Sequence, residues 1–434
     1  MNKVLSFSLL SFLFTFSIYG QEDNLEDFLT GLPDATFRKV ETNPTFESTY
    51  EIRIKQPLDH SDATKGFFHQ HLFLSHKGLK STTVIATEGY KAFQKRIYEP
   101  TKLLNANQLV VEHRYYGNSI PDSVNYRYLN MQQATADLHR IKQLFSELYA
   151  GQWVSTGGSK GGVTTIFYRY FYPEDVVVSI PYVAPIKRSY DEKRIYHFLD
   201  TVGTEECRSG IEAFQRRLLD RRSEILPLLD SSAEASNQSF ERISLNKAFE
   251  YAVMEYSFAF WQRGENCDKI PGDDAPITEI FKYFLLVSSP LWFSDESLQK
   301  SESHNYQIAT ELGYYGYETN DFEGLLTELP TSQNPMCIFP PKGLPTVFNQ
   351  GLLNDVRIWL QQHGHNFIYI YGAMDPWSAA AVPQSDQVDS EWFIMKGKHH
   401  GSARIAQMTD IERERLVSAL ERWLSVEINN SVLR

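Results

Sequence analysis

The pattern of apolar and polar positions changes character twice along the chain. Up to about residue 186, and again from about residue 342, short apolar runs bounded by glycine or polar turns alternate with amphipathic stretches; between them the pattern is almost wholly helical. In the first part, Tyr50–Lys55 alternates with period two and reads as a half-buried strand, Gln56-Pro57-Leu58-Asp59-His60 as a turn, and Phe67–Ser75 as a second strand. Thr83–Ala86, Gln108–Glu112, the run from Trp153 and Val176–Tyr182 are short and apolar, as strands buried on both faces of a parallel sheet must be. Helices are expected at Phe93–Leu104, interrupted by Pro100, at Met131–Tyr149, where Ala134, Leu138, Ile141, Phe145 and Leu148 recur at helical spacing, and at Val163–Tyr172.

In the middle, Gly210–Leu229 carries Ile211, Phe214, Leu218, Ile225 and Leu229 on one face, and aromatic-rich runs follow at Phe249–Trp261 and Phe281–Phe293. We therefore expect a mainly helical cap over residues 187–341. Its aromatics Tyr256, Phe258, Phe260, Trp261, Trp292 and Phe293 are expected to pack for the most part, with some roofing a pocket. The alternating pattern then resumes with the helix Asn354–Gln362, the strands Phe367–Tyr371 and Glu391–Met395, and the closing helix Ile411–Leu424. Strands alternating with helices imply an α/β fold with right-handed crossovers, in one sheet domain built from residues 21–186 and 342–434.

Composition narrows the class. With 434 residues, 42% of them hydrophobic, the chain can bury a large core and carry an insertion. A formal charge of -12 argues against nucleic acid and against anionic membrane surfaces. Lys3, the apolar run Val4–Ile18 and Gly20 read as a signal peptide over residues 1–20, too short for a comfortable membrane span. A secreted or periplasmic protein without stable membrane insertion is expected, and no cysteine follows the run to carry a lipid. Cys207, Cys267 and Cys337 allow one disulfide, and Cys207–Cys267 is preferred because both lie in the inserted region. No cysteine has a metal-site spacing, and His69 and His71 share a strand face without a third ligand, so no metal site is expected from these residues. The oligomeric state stays open.

The chemistry sits at strand ends. Trp153-Val154-Ser155-Thr156-Gly157-Gly158-Ser159-Lys160-Gly161-Gly162 runs from an apolar strand through G-x-S-x-G into a helix, the context of a nucleophile elbow. A serine that attacks an ester or amide needs a base to take its proton and a carboxylate to hold that base. Asp375 and then the pair His399-His400 follow at the ends of later strands, the Ser…Asp…His order of α/β hydrolases. The oxyanion hole is expected from the N–H of Lys160 and an N–H of Gly89 or Tyr90. A Ser-Lys mechanism is set aside, because a side chain at position 160 ordinarily points away from the serine.

These pieces carry a resemblance. Gln56-Pro57-Leu58-Asp59-His60, Thr87-Glu88-Gly89-Tyr90, Glu112-His113-Arg114-Tyr115-Tyr116-Gly117-Asn118-Ser119, Gly157-Gly158-Ser159-Lys160-Gly161-Gly162, Asp375-Pro376-Trp377-Ser378 and Gly397-Lys398-His399-His400 together resemble the secreted bacterial serine peptidases of the prolyl tripeptidyl aminopeptidase family, relatives of prolyl carboxypeptidase and dipeptidyl peptidase. The cap resembles them only in character. The resemblance implies an α/β-hydrolase sheet with a helical cap, no cofactor, and release of short peptides from a free N-terminus, with Pro before the cut. It makes Ser159 the nucleophile and Asp375 the orienting acid. The carboxypeptidase pattern Gly-x-His-His-x-x-x-Arg lies over Gly397 to Arg404 and favours His399 as base, whereas a His-Gly alignment favours His400. Holding a substrate ammonium needs a carboxylate, for which Glu88 and Glu112 are candidates. Two rival readings remain: an esterase or lipase on the same fold, and a non-catalytic secreted binding protein.

Overall fold

The computed structural model describes residues 25–329, 339–344 and 346–428, so the expected signal peptide and Cys337 lie outside the described residues. Nine strands form one sheet: β1 (Ala35–Lys39), β2 (Ser48–Pro57), β3 (Phe67–His76), β4 (Thr83–Thr87), β5 (Asn107–Val111), β6 (Trp153–Gly158), β7 (Val178–Tyr182), β8 (Ile368–Gly372) and β9 (Glu391–Met395). Their spatial order is β1-β2-β3-β5-β4-β6-β7-β8-β9. The pairings β1–β2, β2–β3 and β3–β5 are antiparallel, and all those from β5 across to β9 are parallel. This is an α/β-hydrolase fold.

Every residue of β4, β5, β7 and β8 is buried, because helices cover the sheet on both sides. Ile85 and Leu109 meet Leu138, Ile141 and Phe145 of the helix Met131–Ser146. On the same side, Tyr369 and Tyr371 meet Val163, Ile166 and Phe167 of the helix Lys160–Phe171. The alternate residues Val84, Val154, Ile180 and Ile370 turn to the opposite layer, where Leu416 and Leu420 of the helix Asp410–Leu424 cover them.

Two expectations about elements change, and one strand appears that the sequence did not announce. The helix expected over Phe93–Leu104 shrinks to Glu99–Leu103, and Pro100 starts it instead of interrupting it, since a proline in the first turn loses no helical hydrogen bond. The long helix expected over Gly210–Leu229 divides at Arg221 into Glu205–Asp220 and Arg222–Ala235. Strand β1 is short, mostly exposed and polar, pairing with β2 alone, so no period marks it in the sequence.

Between β7 and β8 the chain builds a helical insertion with its own apolar core, centred on Phe214, Phe249, Phe260 and Phe284. Within it Cys207 is bonded to Cys267, across a Cα–Cα distance of 5.5 Å. Of the aromatics singled out above, Tyr256 and Phe260 are core residues and Trp292 is exposed. Phe258 reaches the sheet domain, stacking on Tyr315 at 4.1 Å and meeting the edge of Trp377 at 5.0 Å.

Candidate active site

Strand β6 delivers its chain to Ser159 in a conformation that side chains other than glycine rarely adopt, with φ 55° and ψ -124°. The bend persists because both sides of it are tied down. Its N–H donates to the Tyr182 carbonyl at 2.9 Å, and its carbonyl accepts from Val163 N–H at 2.9 Å to start the helix Lys160–Phe171. A Cβ added at Gly157 or at Gly161 would come 2.6 Å from the Thr87 carbonyl oxygen, so β4 and the helix can approach this closely only with glycine on both flanks of the serine.

Asp375 follows β8, is fully buried, and uses one carboxylate oxygen to accept the Trp377 N–H at 3.2 Å. The other accepts from His400 Nδ1 at 2.7 Å. This corrects the choice of His399. The His399 ring turns away to the insertion, where a Cβ on Gly264 would lie 2.5 Å from its Cγ, and its Nδ1 accepts the Gly401 N–H at 3.3 Å. The physical reason is the tight turn after β9: neighbouring residues in it point to opposite sides, and only one can face Asp375.

Ser159 lies where two cavities meet. One, of about 460 Å³, is lined by Glu88, Tyr98, Tyr182, His400 and Arg404. The other, of about 130 Å³, lies under the insertion and is lined by Lys160, Lys187, His304, Tyr314 and Trp377. Tyr90 lines both.

The expected oxyanion segment is adjacent. A Cβ on Gly89 would come 2.6 Å from Gly161 N and 2.7 Å from the Lys160 carbonyl carbon, so Gly89 packs on the first turn after the serine. The Lys160 side chain does not reach for Ser159. Its Nζ donates to the Gly89 carbonyl at 2.5 Å and lies 4.5 Å from the ring centre of Tyr116 and 5.1 Å from that of Tyr90. Burial holds this ammonium well below the usual lysine range. The described peptide bonds are all trans. A trans unit whose carbonyl is pinned by Lys160 directs its N–H, that of Tyr90, the opposite way.

The two candidate carboxylates differ. Glu88 borders the larger cavity, accepts from Tyr98 Oη at 2.5 Å and from Arg96 at 3.3 Å, and is pushed above the usual carboxylate range by burial. Glu112 is fully buried and bound to loops: one oxygen accepts Asn118 N–H at 2.6 Å and Ser119 Oγ at 2.9 Å, the other Ala92 N–H at 3.0 Å. Of the two carboxylates expected to hold an ammonium, Glu112 has these donors on both oxygens and borders neither cavity. Among the described residues, no group of three or more His, Cys, Asp or Glu is arranged to hold a metal ion. None of the described helices is long and apolar enough to cross a membrane.

Sequence reasoning passed over Lys187 and His304. Lys187 follows β7 closely and could have been noticed as a charge at a strand's carboxyl end. His304, in the short helix Glu302–Gln307, has no local signal at all.

The family model described as PS-10 peptidase S37 matches residues 23–431. The chain is 30% identical over 419 residues to the prolyl tri/tetrapeptidyl aminopeptidase of Streptomyces mobaraensis, an alignment spanning 94% of this chain and 87% of that one. It is 30% identical to human lysosomal Pro-X carboxypeptidase over 125 residues, 26% of this chain and 25% of the relative. Among solved structures, the proline iminopeptidase of Mycobacterium smegmatis aligns with a TM-score of 0.40 and 12% identity, covering 86% of this chain and 97% of its own.

Proposed function

The chain belongs to the PS-10 peptidase S37 family and is a serine peptidase, and from that premise we propose that it is a secreted exopeptidase releasing short peptides from free N-termini through an acyl-enzyme on Ser159. The observation that carries the catalytic assignment is the Asp375–His400 bond of 2.7 Å at the cavity that Ser159 also lines. With Nδ1 committed to Asp375, His400 has Nε2 left to accept the serine proton. Attack of Ser159 Oγ on the scissile carbonyl gives a tetrahedral oxyanion, held by the N–H groups of Lys160 and Tyr90. His400 then gives its proton to the leaving amine, and water repeats the sequence to free the acyl peptide. Asp375 stabilises the imidazolium throughout.

Cleavage after Pro, and release of three or four residues, follow the name of the Streptomyces relative. The test is mass spectrometry of products from a peptide library in free and N-acetylated forms. Short N-terminal fragments ending in Pro should arise from the free peptides alone, and Ser159→Ala should release none. Equal cleavage of acetylated peptides would remove the aminopeptidase reading, and faster turnover of p-nitrophenyl butyrate than of any peptide would favour an esterase.

A further inference from the structure

The small cavity beside Ser159 contains a cation without a hydrogen-bond partner among the described residues. Lys187 is 6% exposed, and its ammonium has one close neighbour of opposite character, the ring of Trp377, 4.9 Å from Nζ to centroid. No salt bridge or hydrogen bond of its side chain is found among the described residues. A buried ammonium in that condition is costly, since it has three donors and gives none of them to the protein. Lys160, in the same cavity wall, is different because the Gly89 carbonyl accepts from it. His304 across the cavity is neutral, pushed down to about 3 by burial and by the two lysines, and its Nδ1 has no hydrogen-bond partner. It is not an acceptor already engaged by Lys187.

The remaining walls are mostly aromatic or aliphatic, namely Tyr90, Val163, Ile308, Leu312, Tyr314 and Trp377, with the amide of Gln262 at one side. A cavity of about 130 Å³ with such walls admits a small apolar residue and little more. An amide carbonyl needs one donor, and Lys187 offers one. A carboxylate buried here would lose its own hydration as well as that of the ammonium, a double desolvation that a neutral carbonyl avoids. If the residue before the cut is Pro, the preceding amide has no N–H, so the carbonyl is the sole polar group the cavity must satisfy.

We propose that Lys187 is a specificity-determining residue, its ammonium donating to the amide carbonyl that precedes the residue before the scissile bond. This rests on Ser159 being the nucleophile. Substrates of this chemistry seat an apolar residue against Trp377 and Tyr314, and the acceptor just upstream of it reaches Nζ.

The test is a cycle of two proteins and two substrates. Native protein and Lys187→Met are compared on a Pro-containing tripeptide anilide and on its analogue carrying a fluoroalkene in place of the amide before Pro. For the amide, Lys187→Met should raise KM about 10- to 100-fold with kcat within threefold. For the fluoroalkene, the two proteins should agree within threefold. An equal loss on both substrates, or no loss on either, would overturn the proposal, as would a native preference for Glu over Gln in the pocketed position that the variant lacks.

A second measurement needs no variant. Burial pushes Lys187 down to about 8, with Glu192 opposing the shift; Lys160, His304 and the hydroxyls of Tyr90 and Tyr314, both raised by burial, are the other titratable groups of the cavity. The ammonium is present below that value and lost above it, so KM for the amide substrate should climb between pH 7 and 9 while KM for the fluoroalkene stays level. A level KM for both would count against Lys187. Absence of any cleavage, together with no covalent labelling of Ser159 by a fluorophosphonate, would instead remove the peptidase reading on which the proposal rests.

Discussion

His400 donates to a carboxylate that no solvent reaches, so deleting its imidazole leaves Asp375 both useless to the serine and buried without its partner. His400→Ala should lower kcat by about 10³-fold or more, whereas His399→Ala, which loses a contact with Gly264 and the bond from the Gly401 N–H but nothing at Asp375, should stay within about threefold of native. Steady-state rates normalised to labelled Ser159 decide it, and the reverse pattern would restore His399. Lys160 acts through the peptide it pins. Lys160→Met frees the Gly89 carbonyl, so the Tyr90 N–H is no longer held, and kcat should fall roughly 10- to 100-fold with KM nearly constant. A matching loss in affinity for a peptidyl trifluoromethyl ketone, but not for the product peptide, would mark the effect as one on the oxyanion. The placement of Ser159 and Asp375 just beyond strand ends was legible because each follows a short apolar run within a motif. The choice between two adjacent histidines was not, because an irregular turn has no period from which to read direction.

At the level of elements, the strands are the most legible part of the fold. Short apolar runs such as Thr83–Ala86 and Phe367–Tyr371 can be buried only by a sheet covered on both faces, and β4 and β8 occupy those positions. Edge strand β1 escaped because one partner and a solvent face demand nothing of its side chains. The insertion was readable as helical but not in its breaks, since Leu218 and Ile225 keep one apolar face across Arg221 although the backbone turns there. Its disulfide closes 60 residues of sequence, tying the first turn of the helix Glu205–Asp220 to the turn Cys267–Lys269. On a chain-entropy scale a loop of that length is worth about 4 kcal/mol. Cys207→Ser with Cys267→Ser should therefore lower the melting temperature clearly, and the loss should disappear when native and variant proteins are compared in reductant. An unchanged melting curve would show that the helices hold the insertion unaided.

For the whole molecule, the central question is what couples the insertion to the sheet. Part of the answer is a buried carboxylate. Glu255, on the insertion helix Leu245–Arg263, accepts from Tyr315 Oη at 2.7 Å and Tyr317 Oη at 2.9 Å. Tyr315 in turn packs at 5.5 Å from Trp377, in the turn that Asp375 begins. Burial pushes the Glu255 carboxyl up to about 7 against the two hydroxyls that favour its charged form. A carboxyl raised in the folded state binds its proton more tightly than in the unfolded chain, where its value is about 4.3. Its contribution is thus fully present below that unfolded value and is lost as pH climbs through about 7. Glu255→Gln keeps the shape and removes the charge that burial opposes. The variant should gain stability relative to native at pH 8, by an amount on the order of 1–3 kcal/mol, and lose most of that advantage by pH 5. Glu311, also pushed up to about 7 by burial, adds the same trend to both proteins and cancels in the comparison. Thermal melts of the pair at the two pH values measure the difference directly; a gap independent of pH would mean that Glu255 is ionised at no cost, and that the tyrosine hydroxyls fully replace its water.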